Sequence, residues 1–128
     1  MVIYLDTSAF VKTVWNEAES AALAQKIGDA ETVSSALLSV EARRSTLRVG
    51  AHFMPRTDLL LGEITLVELT PSLLESAGRL PDPMLRSLDA VHIATALLLR
   101  GELDIVISYD TRMLAAAAAH GLPIAAPA

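Results

Sequence analysis

Short apolar runs alternate with stretches of helical spacing along the chain. Val2–Leu5 is an apolar run of strand length closed by Asp6. Ser8 predicts the N-cap of a helix over about Ala9–Trp15. Glu17–Ile27 repeats apolar residues at helical spacing and stops at Gly28. Thr32-Val33 reads as a second strand, and Ser35 as the cap of a helix running to about Val49 and ending at Gly50. A helix over about Arg56–Leu61 ends at Gly62, and Ile64–Val67 is strand-like. Thr70-Pro71 opens a helix to about Arg79, with proline in the first position. Pro81 and Pro83 break the chain. A helix from about Ser87 stops at Gly101, and Ile105–Ile107 is a strand. An alanine-rich helix over Thr111–His120 ends at Gly121, and Pro123–Ala125 reads as a last short strand.

This alternation predicts an α/β fold with a parallel sheet covered on both faces. A length of 128 residues without internal repeats predicts one domain over residues 1–128. In such sheets ligands bind beyond the carboxyl ends of the strands, where Asp6 and Asp110 fall.

Composition narrows the class. The chain is 52% hydrophobic but only 4% aromatic, so the core is built from Leu, Val, Ile and Ala. No apolar run approaches the roughly 18–20 uncharged residues of a membrane span. Met1–Asp6 lacks the basic stretch of a signal peptide. With no cysteine, disulfide frameworks and thiolate metal sites are excluded, and a cytoplasmic protein is expected. The net charge of −5 argues against a nonspecific nucleic-acid coat, though not against a nuclease.

Four acids sit against apolar elements: Asp6 after the first strand, Glu41 in Leu37–Ala42, Asp89 in Leu88–Ala94, and Asp110 after Ile105–Tyr109. Carboxylates in such places are costly unless paired or bound to a cation. Each has an ordinary reading: Asp6 and Asp110 as helix caps, Glu41 paired with Arg44 or Ser45, and Asp89 favoured by a helix dipole. Together they predict a hard-metal site, Mg²⁺ or Mn²⁺, serving phosphodiester chemistry. Scattered histidines at 52, 92 and 120 make zinc a poor fit. Thr7 and Ser108 are candidates to hold a carboxylate or a metal-bound water, and His92 reads as a core or supporting histidine.

These segments resemble a family. Val2–Ala9 is similar to the opening of a PIN domain, Ser87–Ala96 to its third acidic segment and Ile107–Met113 to its fourth, with Ser39–Ala42 in the place of the second. The wording most resembles the VapC toxins of VapBC toxin–antitoxin pairs. The resemblance implies a three-layer α/β/α sandwich and a Mg²⁺- or Mn²⁺-dependent endoribonuclease that hydrolyses RNA through metal-activated water. It implies Asp6, Glu41, Asp89 and Asp110 as catalytic and metal-binding residues. It also implies inhibition by a VapB-like antitoxin and assembly as a homodimer.

Beside it, Arg43, Arg44, Arg48, Arg86 and Arg112 lie near the acids in sequence and are candidate RNA phosphate contacts, with solvated ion pairs as the alternative. Val11, Val14, Trp15, Leu37 and Leu38 are candidates to line an antitoxin groove, with core packing the alternative, favoured for the leucines and even for Trp15. Two other functions stay open. One is a receiver-like signalling domain, which usually needs a lysine near its last strands, whereas the lysines here are Lys12 and Lys26. The other is a PIN-like module that binds RNA or protein without catalysis.

Overall fold

The computed structural model describes all of residues 1–128. Five strands, β1 (Val2–Leu5), β2 (Glu31–Ser35), β3 (Thr65–Val67), β4 (Ile105–Ile107) and β5 (Ile124–Ala125), form one sheet in the order β3-β2-β1-β4-β5. Every neighbouring pair is parallel. The helices are α1 (Thr7–Val14), α2 (Ser20–Ile27), α3 (Leu38–Val49), α4 (Met54–Leu61), α5 (Pro71–Gly78), α6 (Ser87–Leu98) and α7 (Thr111–Ala119).

Side-chain alternation along β1 decides the layers. Ile3 and Leu5 pack with Phe10, Leu23, Leu38 and Ile107, a core that also takes in residues of α1–α4. Tyr4 points the other way, into a second core with Val106, Ile93 and Met113 beneath α6 and α7. A smaller cluster joins α5 to α6. The result is the expected three-layer α/β/α sandwich.

The central feature for function is where the strand order turns. The chain builds β1, β2 and β3 outward on one side, then returns to lay β4 and β5 on the other side of β1. The switch point lies between β1 and β4, the place at which open parallel sheets take their ligands. Asp6 follows β1 and Ser108 follows β4 at that place.

Local chemistry explains most helix boundaries. Thr70 accepts the Leu73 N–H and Pro71 starts α5, as expected. Gly121, at φ +79°, leads out of α7 in the left-handed region that suits glycine. Two caps differ from expectation. Asp6, not Ser8, caps α1, and α1 begins at Thr7. Ser35 belongs to β2; its hydroxyl accepts the Leu37 N–H ahead of α3, and α3 itself has no side-chain cap. Thr46 of α3 and Thr57 of α4 are fully buried, with hydroxyls 2.7 Å apart. The carbonyls of Ala42 and of Phe53, just before α4, are within reach, so one hydroxyl donates to the other and that one to a carbonyl, which satisfies the polar pair inside the core. No helix is long and apolar enough to cross a membrane.

Helix α6 is the most enclosed, with Ile93 and Ala96 wholly buried. Ile93→Ala should therefore cost about 2–5 kcal/mol. Urea unfolding of the variant should show a lower midpoint with an unchanged slope.

Candidate active site

Burial at the end of β1 sets the terms of the site. The Asp6 side chain is enclosed, with the residue only 5% exposed. Its Oδ1 accepts from the Ser8 hydroxyl at 2.6 Å and the Ala9 amide at 3.0 Å, and its Oδ2 from the Ser108 hydroxyl at 2.6 Å. Ser8 and Ser108 lie 3.2 Å apart and each accepts a backbone amide, from Tyr109 and Asp110 respectively. This serine pair binds the turn after β4 to the start of α1. Burial raises the Asp6 carboxyl above its ordinary range, although the bonds from Ser108, Ser8 and Ala9 pull it down.

Asp89 stands in the first turn of α6, half-buried, with no hydrogen-bond partner of its own. Burial raises its carboxyl, and the charges of Asp110 and Asp6 raise it further against the opposing pull of His92 and Arg86. Asp110 caps α7 through the Arg112 amide at 2.9 Å. Glu41 comes from α3 on the opposite face of the sheet. Its Oε1 accepts from the Thr7 hydroxyl at 2.7 Å and lies 2.7 Å from His92 Nε2. Burial pushes the Glu41 carboxyl up, but the hydrogen bond and charge of His92, with the bond from Thr7, outweigh it and leave it below its ordinary range.

The structure thus brings the four predicted acids to one rim through β1, α3, α6 and the turn before α7. It does not draw them into a closed cage: no group of three His, Asp or Glu side chains is placed to hold one ion. The donor chemistry still fits a hard divalent cation. The donors are carboxylate oxygens, burial holds Asp6 and Asp89 above their ordinary range, and Asp89 stays raised despite the opposing charges of His92 and Arg86. Mg²⁺ characteristically keeps several waters and takes only one or two carboxylates.

Thr7 and Ser108 each hold a carboxylate, Thr7 that of Glu41 and Ser108 that of Asp6. Glu41 pairs with neither Arg44 nor Ser45. Arg43 is engaged with Asp58 at 3.0 Å, and Arg48 with the Ser45 hydroxyl. Arg44, Arg86 and Arg112 are exposed, and their side chains form no ion pair. Sequence reasoning passed over Ser8 and Tyr4. Tyr4 lies 2.6 Å from His92 Nδ1 across 88 residues, a contact with no local signature.

A groove of about 700 Å³ opens between α1, α2 and α4, lined by Val14, Trp15, Ala24, Ile27 and Leu60 among others. Of the residues expected to form such a groove, Val14 and Trp15 line it. Val11 packs beside the core, Leu38 is wholly inside it, and Leu37 lies at the start of α3, away from the groove.

The raised Asp6 carboxyl has a defined linkage sign in metal-free protein. Its contribution to stability is fully present below the unfolded carboxyl range and is lost as pH rises through the folded value. Asp6→Asn should remove that loss. Metal-free wild type should then show urea midpoints that fall with rising pH over this window, and the variant a flatter profile. Added Mn²⁺ should raise the melting temperature of wild type but not of the variant.

With this geometry in place, the likenesses to known proteins are specific. The sequence pattern of the PIN domain matches residues 3–119. Ribonuclease VapC35 of Mycobacterium tuberculosis is 37% identical over 131 aligned positions, covering 98% of this chain and 97% of the relative. Ribonuclease VapC46 of the same organism is 38% identical over 126 positions with the same coverage. Among solved structures, a toxin–antitoxin complex from Klebsiella pneumoniae contains a chain that superposes with a TM-score of 0.71, at 20% identity and 98% coverage of both chains. That structure carries the fold, while the matches to the ribonucleases carry the family. A parallel sheet with its switch point at Asp6, a PIN-domain pattern over nearly its whole length, and full-length relatives among the VapC ribonucleases place this chain in the PIN-domain family, with the VapC ribonucleases.

Proposed function

We propose that the chain is a Mg²⁺- or Mn²⁺-dependent endoribonuclease acting as the toxin of a toxin–antitoxin pair. The observation that carries the metal-dependent reading is the gathering of Asp6, Glu41, Asp89 and Asp110 beyond the sheet's switch point, where burial also raises the Asp6 and Asp89 carboxyls. A site that strains two carboxylates and offers only oxygen donors suits a hard cation. The ribonuclease relatives point to RNA as the substrate.

Asp6 and Asp89 would be the principal holders of the ion, with Glu41 and Asp110 completing the acidic rim. When bound, the ion would supply an activated water and offset charge at the phosphorus. The residues of the chain do the rest. Ser8, Ser108 and the Ala9 amide fix the Asp6 carboxylate, and Thr7 fixes that of Glu41. Arg44, Arg86 and Arg112 are the exposed cations near the acids in sequence and would meet RNA phosphates. Arg43 and Arg48, engaged with Asp58 and Ser45, are less available.

The Klebsiella complex is a toxin–antitoxin assembly, and by that likeness the partner here would be a small VapB-like antitoxin. The groove beside Trp15 would take an apolar segment of it. A homodimer in the cytoplasm completes this reading. A receiver-like function has less support: Lys12 is bound to Glu19 at 2.8 Å and lies over the Tyr109 ring, and Lys26 closes α2.

Asp6→Asn and Asp89→Asn should each lower Mg²⁺-dependent RNA cleavage by more than roughly 100-fold, since even the outer partners of a metal ligand are worth about 10–100-fold. Gel-resolved cleavage by folded protein checks this; a fully active Asp6→Asn enzyme would remove the mechanism. Arg44→Ala and Arg112→Ala should raise KM for RNA and flatten its salt dependence while leaving kcat near wild type.

A further inference from the structure

Tyr4 and His92 are both deeply buried on the α6 and α7 side of the sheet. Their rings meet edge-on, with centroids 5.9 Å apart and planes at 86°. The Tyr4 hydroxyl is 2.6 Å from His92 Nδ1, and His92 Nε2 is 2.7 Å from Glu41 Oε1. Thr7 donates to the same oxygen. A continuous line of short hydrogen bonds therefore runs from the core of one layer to a carboxylate carried by a helix of the other.

The direction of that line follows from elementary donor rules. A carboxylate only accepts, so His92 Nε2 must carry the hydrogen that faces Glu41. In a neutral imidazole Nδ1 then accepts, and the Tyr4 phenol donates to it. Glu41 thus requires the Nε2–H tautomer, and Tyr4, by donating to Nδ1, satisfies the bare nitrogen of that tautomer and holds the ring in place. In the other tautomer an unshared pair at Nε2 would face the carboxylate. Oε1 is tied by two donors from two different helices, while Oε2 accepts no hydrogen bond from the chain.

We propose that Tyr4 and His92 are positioning residues for Glu41: the Tyr4 hydroxyl anchors the His92 ring through Nδ1, His92 and Thr7 withdraw Oε1, and Oε2 is left as the working oxygen. This rests on Glu41 belonging to the ribonuclease site. Neither residue touches RNA or metal. Both act through the carboxylate, so their loss moves turnover rather than substrate affinity.

The test combines a readout of the metal-free protein with one of the loaded enzyme. In ¹⁵N-histidine spectra of metal-free wild type, recorded with the imidazole neutral, His92 should show the Nε2–H tautomer with a hydrogen-bonded Nδ1, and in Tyr4→Phe the Nδ1 resonance should move to that of a free acceptor nitrogen while the protein keeps a cooperative unfolding transition. Calorimetric Mn²⁺ affinity should fall about 10-fold in Tyr4→Phe, and kcat for RNA by a similar factor with KM unchanged. His92→Gln, whose amide keeps an N–H donor toward Glu41, should recover most of the affinity and turnover that His92→Leu loses. A folded Tyr4→Phe with the wild-type Nδ1 resonance and Mn²⁺ affinity overturns the proposal, as does His92→Gln performing no better than His92→Leu. The pair at position 92 decides the matter if Tyr4→Phe does not fold. A wild type that neither binds Mn²⁺ nor cuts RNA would sink the ribonuclease reading, and the Nδ1 resonance would still decide whether Tyr4 holds His92.

Discussion

The buried Asp6 carboxylate is the constraint around which the other elements are arranged. Enclosing an ionised carboxyl costs several kcal/mol unless its oxygens are satisfied. Here the satisfaction comes from separate parts of the fold: the first turn of α1 through Ala9, the Ser8 hydroxyl, and the turn after β4 through Ser108. One side chain therefore ends β1, starts α1 and holds the β4 turn. Those bonds do not fully offset burial, since the carboxyl remains raised. The residual cost at Asp6 is what a bound cation would offset.

That cost is placed at the switch point of the sheet. β1 is the strand from which the chain departs in both directions, so its end is bordered by elements of both helical layers. α1 and α3 deliver Thr7 and Glu41 from one layer, and α6 delivers Asp89 and His92 from the other. The meeting of Glu41 with His92 joins the layers across 51 residues. Every buried side-chain nitrogen and oxygen has a partner. Asp6 is therefore raised by burial despite its hydrogen bonds, and Asp89, which has none, by burial and the charges of Asp110 and Asp6.

What the sequence made legible was what local chemistry decides. β1 and β4 declare themselves as apolar runs, α5 through Thr70-Pro71, and the end of α7 through Gly121. The parallel sheet followed from the alternation, and the rim of the site from acids at strand ends. What the sequence hid was set by contacts between distant segments. Ser8 reads as a good cap, but its hydroxyl is occupied with Asp6, Ser108 and the Tyr109 amide, the last two a hundred residues away. Arg43 reads as a phosphate contact until Asp58 of α4 takes it. Leu38 reads as a core or a groove residue, and α3 turns it into the core. His92 reads as a core or supporting histidine and is both, but its partners Tyr4 and Glu41 are far from it in sequence.

The opposite treatment of the carboxyls also divides their proposed labour. Asp6 and Asp89 hold protons more tightly than ordinary side chains, so each has more to gain from a cation than a solvated carboxylate does. Glu41 is already compensated by His92 and Thr7 and lies below its ordinary range. An ion shared equally among them would leave the strain at Asp6 and Asp89 only partly relieved. An ion seated toward Asp6 and Asp89 would relieve the most strain. Glu41 would then contribute through its unpartnered Oε2 from the opposite layer, with both bonds at Oε1 kept. The acidic rim is in this sense asymmetric before any ligand arrives, and the asymmetry follows from which oxygens the fold has already supplied with donors.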